Sequence, residues 1–168
     1  FCELKKASGN PIKWVSLGRA IDWVNCESIV PIMKENGLFM GVFGIEVTTQ
    51  SELKKIAKGI TLEQIQKTID ILRKNDIAIV ADIMMGFDYD TEAIIKQRFE
   101  FTDSVDPDIM WVGYVTPAPN SPMWRIALKK GWVDPKKVDF STWDFLHPVI
   151  PTDHLTTEDL GRLGAWCM

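Results

Sequence analysis

Cysteine is scarce in this sequence, and its three copies, Cys2, Cys26 and Cys167, lie far apart. An odd and widely spaced set does not make a disulfide framework, and no two of these residues have the spacing of metal ligands. Histidine is equally rare, because only His147 and His154 are present and neither has a cysteine or histidine nearby at ligand spacing. We therefore expect no metal site built from this chain alone, and both histidines are predicted to be structural or surface residues.

Long apolar runs and a basic charge excess are missing as well. The longest apolar stretch, residues 77–87, contains Asp82 and is too short to span a bilayer. The net charge of −4 argues against nucleic acid as a general partner, because phosphate binding needs a basic surface. We expect a cytoplasmic protein that has neither a membrane span nor a nucleic-acid partner.

Four apolar runs have the character of β-strands, and 168 residues with 46% hydrophobic content suffice for one domain with a real core. The second and third runs are nearly continuous in Val, Ile, Phe and Met. This continuity is typical of strands buried on both faces of a parallel sheet that helices cover. The four runs are residues 12–17, 38–47, 77–85 and 109–115.

Helical patterns separate the four runs. Asn25 is predicted to cap a helix that ends at Gly37, residues 61–64 form a Thr-Leu-Glu-Gln capping box, and Asp90 or Thr91 starts a third helix. This alternation is the rhythm of βαβ units, which predicts an α/β protein built as part of a parallel barrel or of a doubly wound sheet. No Gly-x-Gly-x-x-Gly follows a strand, which weakens the dinucleotide-binding version.

The alternation of apolar runs and helical patterns ends after Val115. A proline-rich loop and a short amphipathic helix lead to Gly131, and the remainder is irregular and rich in Trp, Pro, Asp and His until Thr156 caps a last helix. We predict a barrel core at residues 1–131 and a C-terminal extension at 132–168. The first residues have the pattern of a helix already begun and the last of a helix that stops, so we expect a fragment of a longer protein.

In a parallel barrel, active sites form at the carboxyl ends of the strands. Residues at or just after these ends are the candidates, and we expect them to meet at one mouth. They are Arg19 and Asp22, Glu46 and Gln50, Asp82 and Gly86, and Tyr114 and Thr116.

Two carboxylates among these candidates call for a partner. Glu46 ends an otherwise apolar strand, and a buried charge is costly unless it is paired. A bound amine or ribose hydroxyl, an ion pair with Arg19, or a cap on the next helix would each satisfy it. Asp82 interrupts the third strand and either contacts a ligand or, as we favour, is hydrogen-bonded to a side chain of a neighbouring strand. The lysines Lys54, Lys55 and Lys58 are predicted to form a solvated helix face, with phosphate binding as the less favoured alternative.

Four segments, taken in order, carry a resemblance to a known family. Residues 13–22 resemble a strand ending in Arg-x-x-Asp, and residues 44–50, Gly-Ile-Glu-Val-Thr-Thr-Gln, resemble a Gly-Ile-Glu-Ser-x-x-Gln segment. Residues 81–87 resemble a fifth strand, and residues 114–122 resemble a sixth strand with its Thr-Pro-x-Pro-Gly-Thr-Pro loop. Together they resemble the radical S-adenosylmethionine (SAM) superfamily, in the cobalamin-binding-domain branch that includes anaerobic magnesium-protoporphyrin IX monomethyl ester cyclase-like proteins.

The resemblance implies a partial, half-closed parallel (β/α) barrel of which this chain supplies the last four βα units. Members of the family hold a 4Fe–4S cluster through a Cys-x3-Cys-x2-Cys loop, bind SAM at the free iron, and cleave it reductively to a 5′-deoxyadenosyl radical. That loop is absent here, and Cys2 cannot replace it. The resemblance therefore implies a fragment that is inactive alone. For the full-length enzyme it implies a small-molecule substrate, ferredoxin or flavodoxin as electron donor, and cobalamin as a further cofactor where its domain is present.

The same resemblance assigns SAM contacts but no catalytic residue. Arg19 and Glu46 would contact the ribose or the methionine part. Gly86 would flank the adenine together with Val115 and Thr116, and Gln50 and Asp82 complete the set. The family's serine after the glutamate is Val47 here, and its glycine in the proline loop is Asn120.

Two alternatives stay open beside the radical enzyme. One is an ordinary barrel enzyme with Glu46 or Asp82 as general base. The other is a binding module that kept the barrel and lost the cluster. Within the radical family, oxidative cyclisation, methyl transfer and C–C bond formation are all compatible with this scaffold.

Overall fold

The computed structural model of the chain describes residues 2–9 and 11–167. Its four strands form one parallel sheet in the order β1-β2-β3-β4, so each strand neighbours the next in sequence. Each predicted apolar run contains one strand, with bounds that differ by at most two residues. The strands are β1 Trp14–Leu17, β2 Leu38–Glu46, β3 Ala78–Met85 and β4 Ile109–Tyr114. The predicted α/β fold with a parallel sheet is confirmed.

Eight α-helices occur among the described residues, and several begin where the sequence predicts a cap. Thr61 Oγ1 accepts a hydrogen bond from the amide of Gln64, whose Oε1 accepts one from the amide of Thr61. Thr91 rather than Asp90 caps the following helix, and Thr156 caps the last one. The helices are α1 Cys2–Ser8, α2 Ala20–Asn25, α3 Val30–Glu35, α4 Gln50–Lys55, α5 Leu62–Lys74, α6 Glu92–Ser104, α7 Pro122–Lys129 and α8 Thr157–Cys167.

The single helix predicted from Asn25 onward is wrong. Asn25 is the last residue of α2, whose N-terminus is fixed by Asp22 accepting a hydrogen bond from the amide of Arg19 at 2.9 Å. A 3₁₀ turn, Glu27–Ile29, separates α2 from α3. Pro31 explains the break, because proline is accepted in the first turn of a helix but removes a donor from its interior.

The described residues fall into two compact units, of which the first comprises the chain up to Ile83 and Glu100–Trp111. In this unit the two faces of the sheet differ. Phe43 and Ile45 are buried on the face that α2 and α5 cover, whereas Val42 and Gly44 alternate with them and are only half-buried. The expectation that β2 is buried on both faces is therefore wrong, and the half-buried face is the one that carries polar groups.

The second unit comprises Met84–Phe99 and the chain from Val112 onward. Helix α8 packs on β4, where the Tyr114 hydroxyl donates to the carbonyl oxygen of Leu160 at 3.3 Å. A Cβ on Gly164 would overlap the same phenol oxygen, so only glycine, which has no side chain, fits at this position of the helix. The amide of Tyr114 donates to the carbonyl oxygen of Phe145 at 2.8 Å. The division into a core at 1–131 and an extension at 132–168 stays a prediction. None of the helices in the described ranges combines the length and apolar character that crossing a bilayer requires.

Candidate functional site

The end of β2 places the Glu46 carboxylate back over its own strand. The register between β2 and β3 shifts after Gly44, which pairs with Asp82, and Glu46 adopts the left-handed backbone conformation with φ of 63°. Non-glycine residues rarely adopt this conformation, and at such positions the strain commonly accompanies function. A Cβ on Gly44 would overlap Glu46 Oε1. The Gly-x-Glu spacing therefore makes room for the carboxylate.

The ion-pair partner of Glu46 is Lys58. Lys58 Nζ lies 2.5 Å from Glu46 Oε1, and the two side chains are only 18% and 20% exposed. Ala57 and Gly59 both have positive φ, which turns the chain after α4 and brings Lys58 back to the strand end. The prediction that Lys58 lies on a solvated helix face is therefore wrong, and so are the two structural partners considered for Glu46. The cap of α4 is instead Thr49.

Asp82 lies beside this ion pair without a hydrogen bond at one oxygen. Its Oδ1 is buried, and no atom of the described residues donates to it. Burial, and then the charge of Glu46, raise the pKa of Asp82 to about 6, while Lys58 acts in the opposite direction. The predicted hydrogen bond to a neighbouring strand's side chain does not form at this oxygen. A buried acceptor without a protein donor is able to accept a hydrogen bond from a water molecule or from a hydroxyl or ammonium group of a ligand.

Arg19 and Gln50, the other candidates in this unit, already have partners nearby. The Arg19 guanidinium contacts Asp22 at 3.0 Å, is 63% exposed, and holds the pKa of that carboxyl below its usual value. The amide group of Gln50 donates to the carbonyl of Ile60 and accepts from the amide of Leu62, each at 3.4 Å. The structure thus brings Glu46 and Asp82 together, whereas Arg19 and Gln50 brace local turns.

In the second unit, Gly86 and Val115 lie next to each other. Gly86 has a φ of 93°, and a Cβ there would lie 3.8 Å from the amide nitrogen of Val115. The amide of Val115 donates to the carbonyl of Met85 at 2.8 Å, which extends the pairing of the two strand ends. Thr116 turns its hydroxyl to the carbonyl of Tyr114 at 3.1 Å. Gly86, Val115 and Thr116 thus form a strand-end group of mostly backbone and apolar character.

A buried ion pair behind Gly86 was missed by the sequence analysis. Arg98 and Asp90 are 1% and 0% exposed and are joined by Nη2–Oδ1 and Nη1–Oδ2 contacts of 2.9 and 3.1 Å. The sequence does contain a signal for it. Arg98 follows the buried Ile95 by three residues and precedes the buried Thr102 by four, so it lies on the inward stripe of α6.

The described residues do not fit an iron–sulfur cluster, whereas Asp82 is able to accept a hydrogen bond from a bound molecule. No three His, Cys, Asp or Glu side chains within residues 2–9 and 11–167 are arranged to hold a metal ion. Burial raises the pKa of Cys167 to about 11, which opposes the thiolate form that a cluster needs. The unsatisfied oxygen of Asp82, by contrast, matches a hydroxyl or ammonium donor.

Comparison with known sequences supports the resemblance, although no family model matches the chain. It is 26% identical over 163 residues to the anaerobic magnesium-protoporphyrin IX monomethyl ester cyclase of Rubrivivax gelatinosus, covering 95% of this chain and 28% of that protein. It is 25% identical over 158 residues to an uncharacterized methyltransferase of Pyrococcus horikoshii, covering 94% and 34%. The chain thus spans about a third or less of the length of these relatives.

Solved structures show the same fold. The radical S-adenosylmethionine methyltransferase TsrM of Kitasatospora setae superposes with a TM-score of 0.62 at 14% identity, covering 78% of this chain and 27% of that one. The archaeal Elp3 of Methanocaldococcus infernus gives a TM-score of 0.60 at 17% identity, covering 71% and 28%. A second TsrM structure contains cobalamin and a 4Fe–4S cluster. The predicted partial parallel (β/α) barrel is confirmed as the fold that this chain shares with these structures.

Proposed function

We infer that this chain, which resembles the radical SAM enzymes in sequence and in fold, supplies a SAM-binding wall in an enzyme of that kind. The observation that carries this proposal is the group formed by Glu46 at the end of β2, Asp82 on the neighbouring part of β3, and Lys58 in the turn after α4. One oxygen of Asp82 is buried without a donor, and Glu46 occupies a strained backbone position that serves no helix cap. Such features cluster at functional sites.

The charge of this group suits SAM. Two carboxylates and one ammonium leave a net charge of −1, while SAM carries a sulfonium, an ammonium and a carboxylate, a net charge of +1, together with two ribose hydroxyls. We assign Glu46 and Asp82 as acceptors for its hydroxyl and ammonium groups. Arg19 and Gln50 remain proposed contacts, which would form by exchange of their present intramolecular partners. Gly86, Val115 and Thr116 are proposed to flank the adenine, where backbone and apolar groups suffice.

The chemistry proposed for the full-length enzyme is radical chemistry. A 4Fe–4S cluster would donate one electron to SAM held beside Glu46 and Asp82, and SAM would then break into methionine and a 5′-deoxyadenosyl radical able to take hydrogen from a substrate carbon. The residues of this chain bind and orient the nucleoside and keep water from the reacting carbon. Since the relatives are a methyltransferase and a cyclase, we propose oxidative cyclisation, methyl transfer or C–C bond formation as the reaction classes. A ferredoxin or flavodoxin donor, a cobalamin cofactor and a cytoplasmic location belong to the same proposal.

A second candidate rests on the pKa of Asp82. A carboxyl that titrates near pH 6 beside another carboxylate has the properties of a general base in a barrel enzyme without radical chemistry. This candidate requires no SAM site. SAM binding therefore separates the two functions.

The test is the substitution Glu46→Gln in the full-length enzyme reconstituted without oxygen. Losing a hydrogen bond to a charged group should weaken SAM binding roughly 10- to 100-fold, measured by isothermal titration calorimetry, while the absorbance spectrum of the cluster stays the same. Glu63→Gln, at an exposed position of α5, is the matched control and should bind SAM as the unsubstituted enzyme does. Equal affinity in Glu46→Gln would reduce Glu46 to a structural partner of Lys58. No SAM binding by the unsubstituted enzyme would refute the proposed function.

A further inference from the structure

The loop that follows β3, residues 86–90, is tied down by the buried carboxylate of Asp90. One oxygen of Asp90 accepts hydrogen bonds from the amides of Gly86 and Phe87, at 2.8 and 3.1 Å. Both oxygens also contact the guanidinium of Arg98. A second bond from Arg98 Nη1 reaches the carbonyl oxygen of Met84 at 2.6 Å. The pair therefore joins the end of the strand to the first two residues of the loop.

Starting α6 does not require this ion pair. Thr91 already caps the helix by accepting from the amide of Ile94 at 3.3 Å. Desolvating two charges costs several kcal/mol per ion before their attraction and hydrogen bonds offset it, so a buried pair is poor support for stability alone. What the pair does provide is a fixed orientation for the Gly86 and Phe87 amides. Fixing that backbone is the effect that distinguishes Asp90 and Arg98 from an apolar pair of the same size.

The C-terminal part of the chain holds the same loop through other atoms. The buried hydroxyl of Thr152 donates to the carbonyl of Asp90 at 2.9 Å, and the amide of Asp153 donates to the carbonyl of Asp88 at 2.8 Å. Lys130 Nζ lies 2.6 Å from Asp153 and 3.4 Å from Asp88, which adds an ion pair across the same contact. Thr152 also accepts from the amide of Leu155, so its hydroxyl direction is set.

We propose that Arg98 and Thr152 are positioning residues for the nucleoside of SAM. They act through the loop, because they hold Gly86 in its left-handed conformation and keep its amide engaged before any ligand arrives. A loop that is ordered in advance removes that ordering cost from binding. This inference rests on the proposed function, in which Gly86 and its neighbours flank the adenine. It assigns to the C-terminal extension a role in SAM affinity that needs no contact with SAM.

The experiment compares Thr152→Val, which keeps the shape but loses the hydroxyl, with Thr152→Ser, which keeps the hydroxyl. Amide hydrogen exchange of Gly86 and Phe87 is measured in the ligand-free protein, and the dissociation constant of SAM in the full-length enzyme. In Thr152→Val we expect roughly five- to tenfold faster exchange and a SAM dissociation constant raised by a similar factor, since one hydrogen bond is lost. Serine should restore both. Thr142→Val, at an exposed site in the extension, should change neither.

The possible outcomes separately test whether Thr152 orders the loop, whether the loop positions SAM, and whether the enzyme binds SAM. Unchanged exchange at Gly86 and Phe87 in Thr152→Val would show that Thr152 does not hold the loop. Faster exchange with an unchanged dissociation constant would show that the loop does not position SAM. If the unsubstituted enzyme fails to bind SAM, the proposed function is overturned, while exchange still reports whether Thr152 orders the loop. Arg98→Lys keeps the charge without the two-pronged contact, and it should accelerate exchange at the same two amides.

Discussion

Replacing Asp82 by asparagine should stabilise the protein at neutral pH. Asp82 is half-buried, its Oδ1 receives no hydrogen bond from the described residues, and Glu46 lies nearby with the same charge. The ionised form of Asp82 therefore destabilises the fold, although Lys58 offsets part of the effect. Asparagine keeps the shape and removes the charge, so the substitution isolates the electrostatic contribution.

The size and sign of the effect follow from the pKa. Folding raises the pKa of Asp82 from its ordinary value of 3.8 to about 6. Between these values the folded state binds a proton that the unfolded state has released, so the free energy of unfolding falls as pH rises through this window and levels off above it. At 1.36 kcal/mol per pKa unit, the upper bound is about 3 kcal/mol. Solvent screening at a half-buried site reduces the expected value to roughly 1–2 kcal/mol.

The assay is urea unfolding of the unsubstituted chain and of Asp82→Asn at several pH values from 4 to 8. Taking the difference removes the opposite contribution of surface carboxylates such as Asp22 and Asp159, whose pKa values are lowered by their partners. Near pH 4 the free energy of unfolding of Asp82→Asn should equal that of the unsubstituted chain. Above pH 6 it should be higher by the full expected difference. Asp103→Asn, at an exposed position of α6, controls for the general loss of one negative charge. A constant difference across this pH range, or a loss of stability at pH 7, would refute the reasoning.

Two further substitutions test close contacts. Gly44→Ala should lower the free energy of unfolding by about 1 kcal/mol, because the new methyl group displaces the end of the Glu46 side chain from Lys58. Adding Glu46→Ala should recover most of this loss in urea unfolding, and a purely additive result would contradict the contact. Gly164→Ala should cost more, about 1–3 kcal/mol, because the Tyr114 phenol that the new methyl group overlaps is rigid, and the loss should appear as a lower thermal midpoint. If Gly164→Ala had the same thermal midpoint as the unsubstituted protein, the Tyr114 hydroxyl would not lie against Gly164.

The strands were predictable because their signal is local. Each depends on a mostly apolar run between helical patterns, and a parallel sheet follows from strands that alternate with helices. The capping box at Thr61 and the cap at Thr156 were predictable for the same reason, since the partners lie within three residues. The break between α2 and α3 also has a local signal in Pro31. Apolar periodicity does not reveal it, because the apolar residues on both sides of Pro31 keep a helical spacing.

The partners at the candidate site depend on how distant segments meet, and residue spacing does not encode this. Lys58 follows two lysines at helical spacing and so has the pattern of a solvated face, yet the turn at Ala57 and Gly59 directs it to Glu46. Arg98 lies in a charged stretch of α6, and only its place on the inward stripe distinguishes it from solvated neighbours. Thr152 reaches Asp90 across 62 positions, a separation at which sequence patterns carry no information.

The hydrogen bond between Tyr114 and Phe145 protects an edge strand of the sheet from pairing with other molecules. β4 is the last strand in the order of the sheet, and an unpaired border strand is a template on which other chains add and aggregate. The carbonyl of Phe145, held at a positive φ of 65°, occupies the amide at the end of that strand. A version of the protein shortened after Gly131 would uncover this amide together with the apolar surface beneath α8. Shortened in this way, the protein would tend to aggregate. The C-terminal extension therefore also prevents self-association through β4.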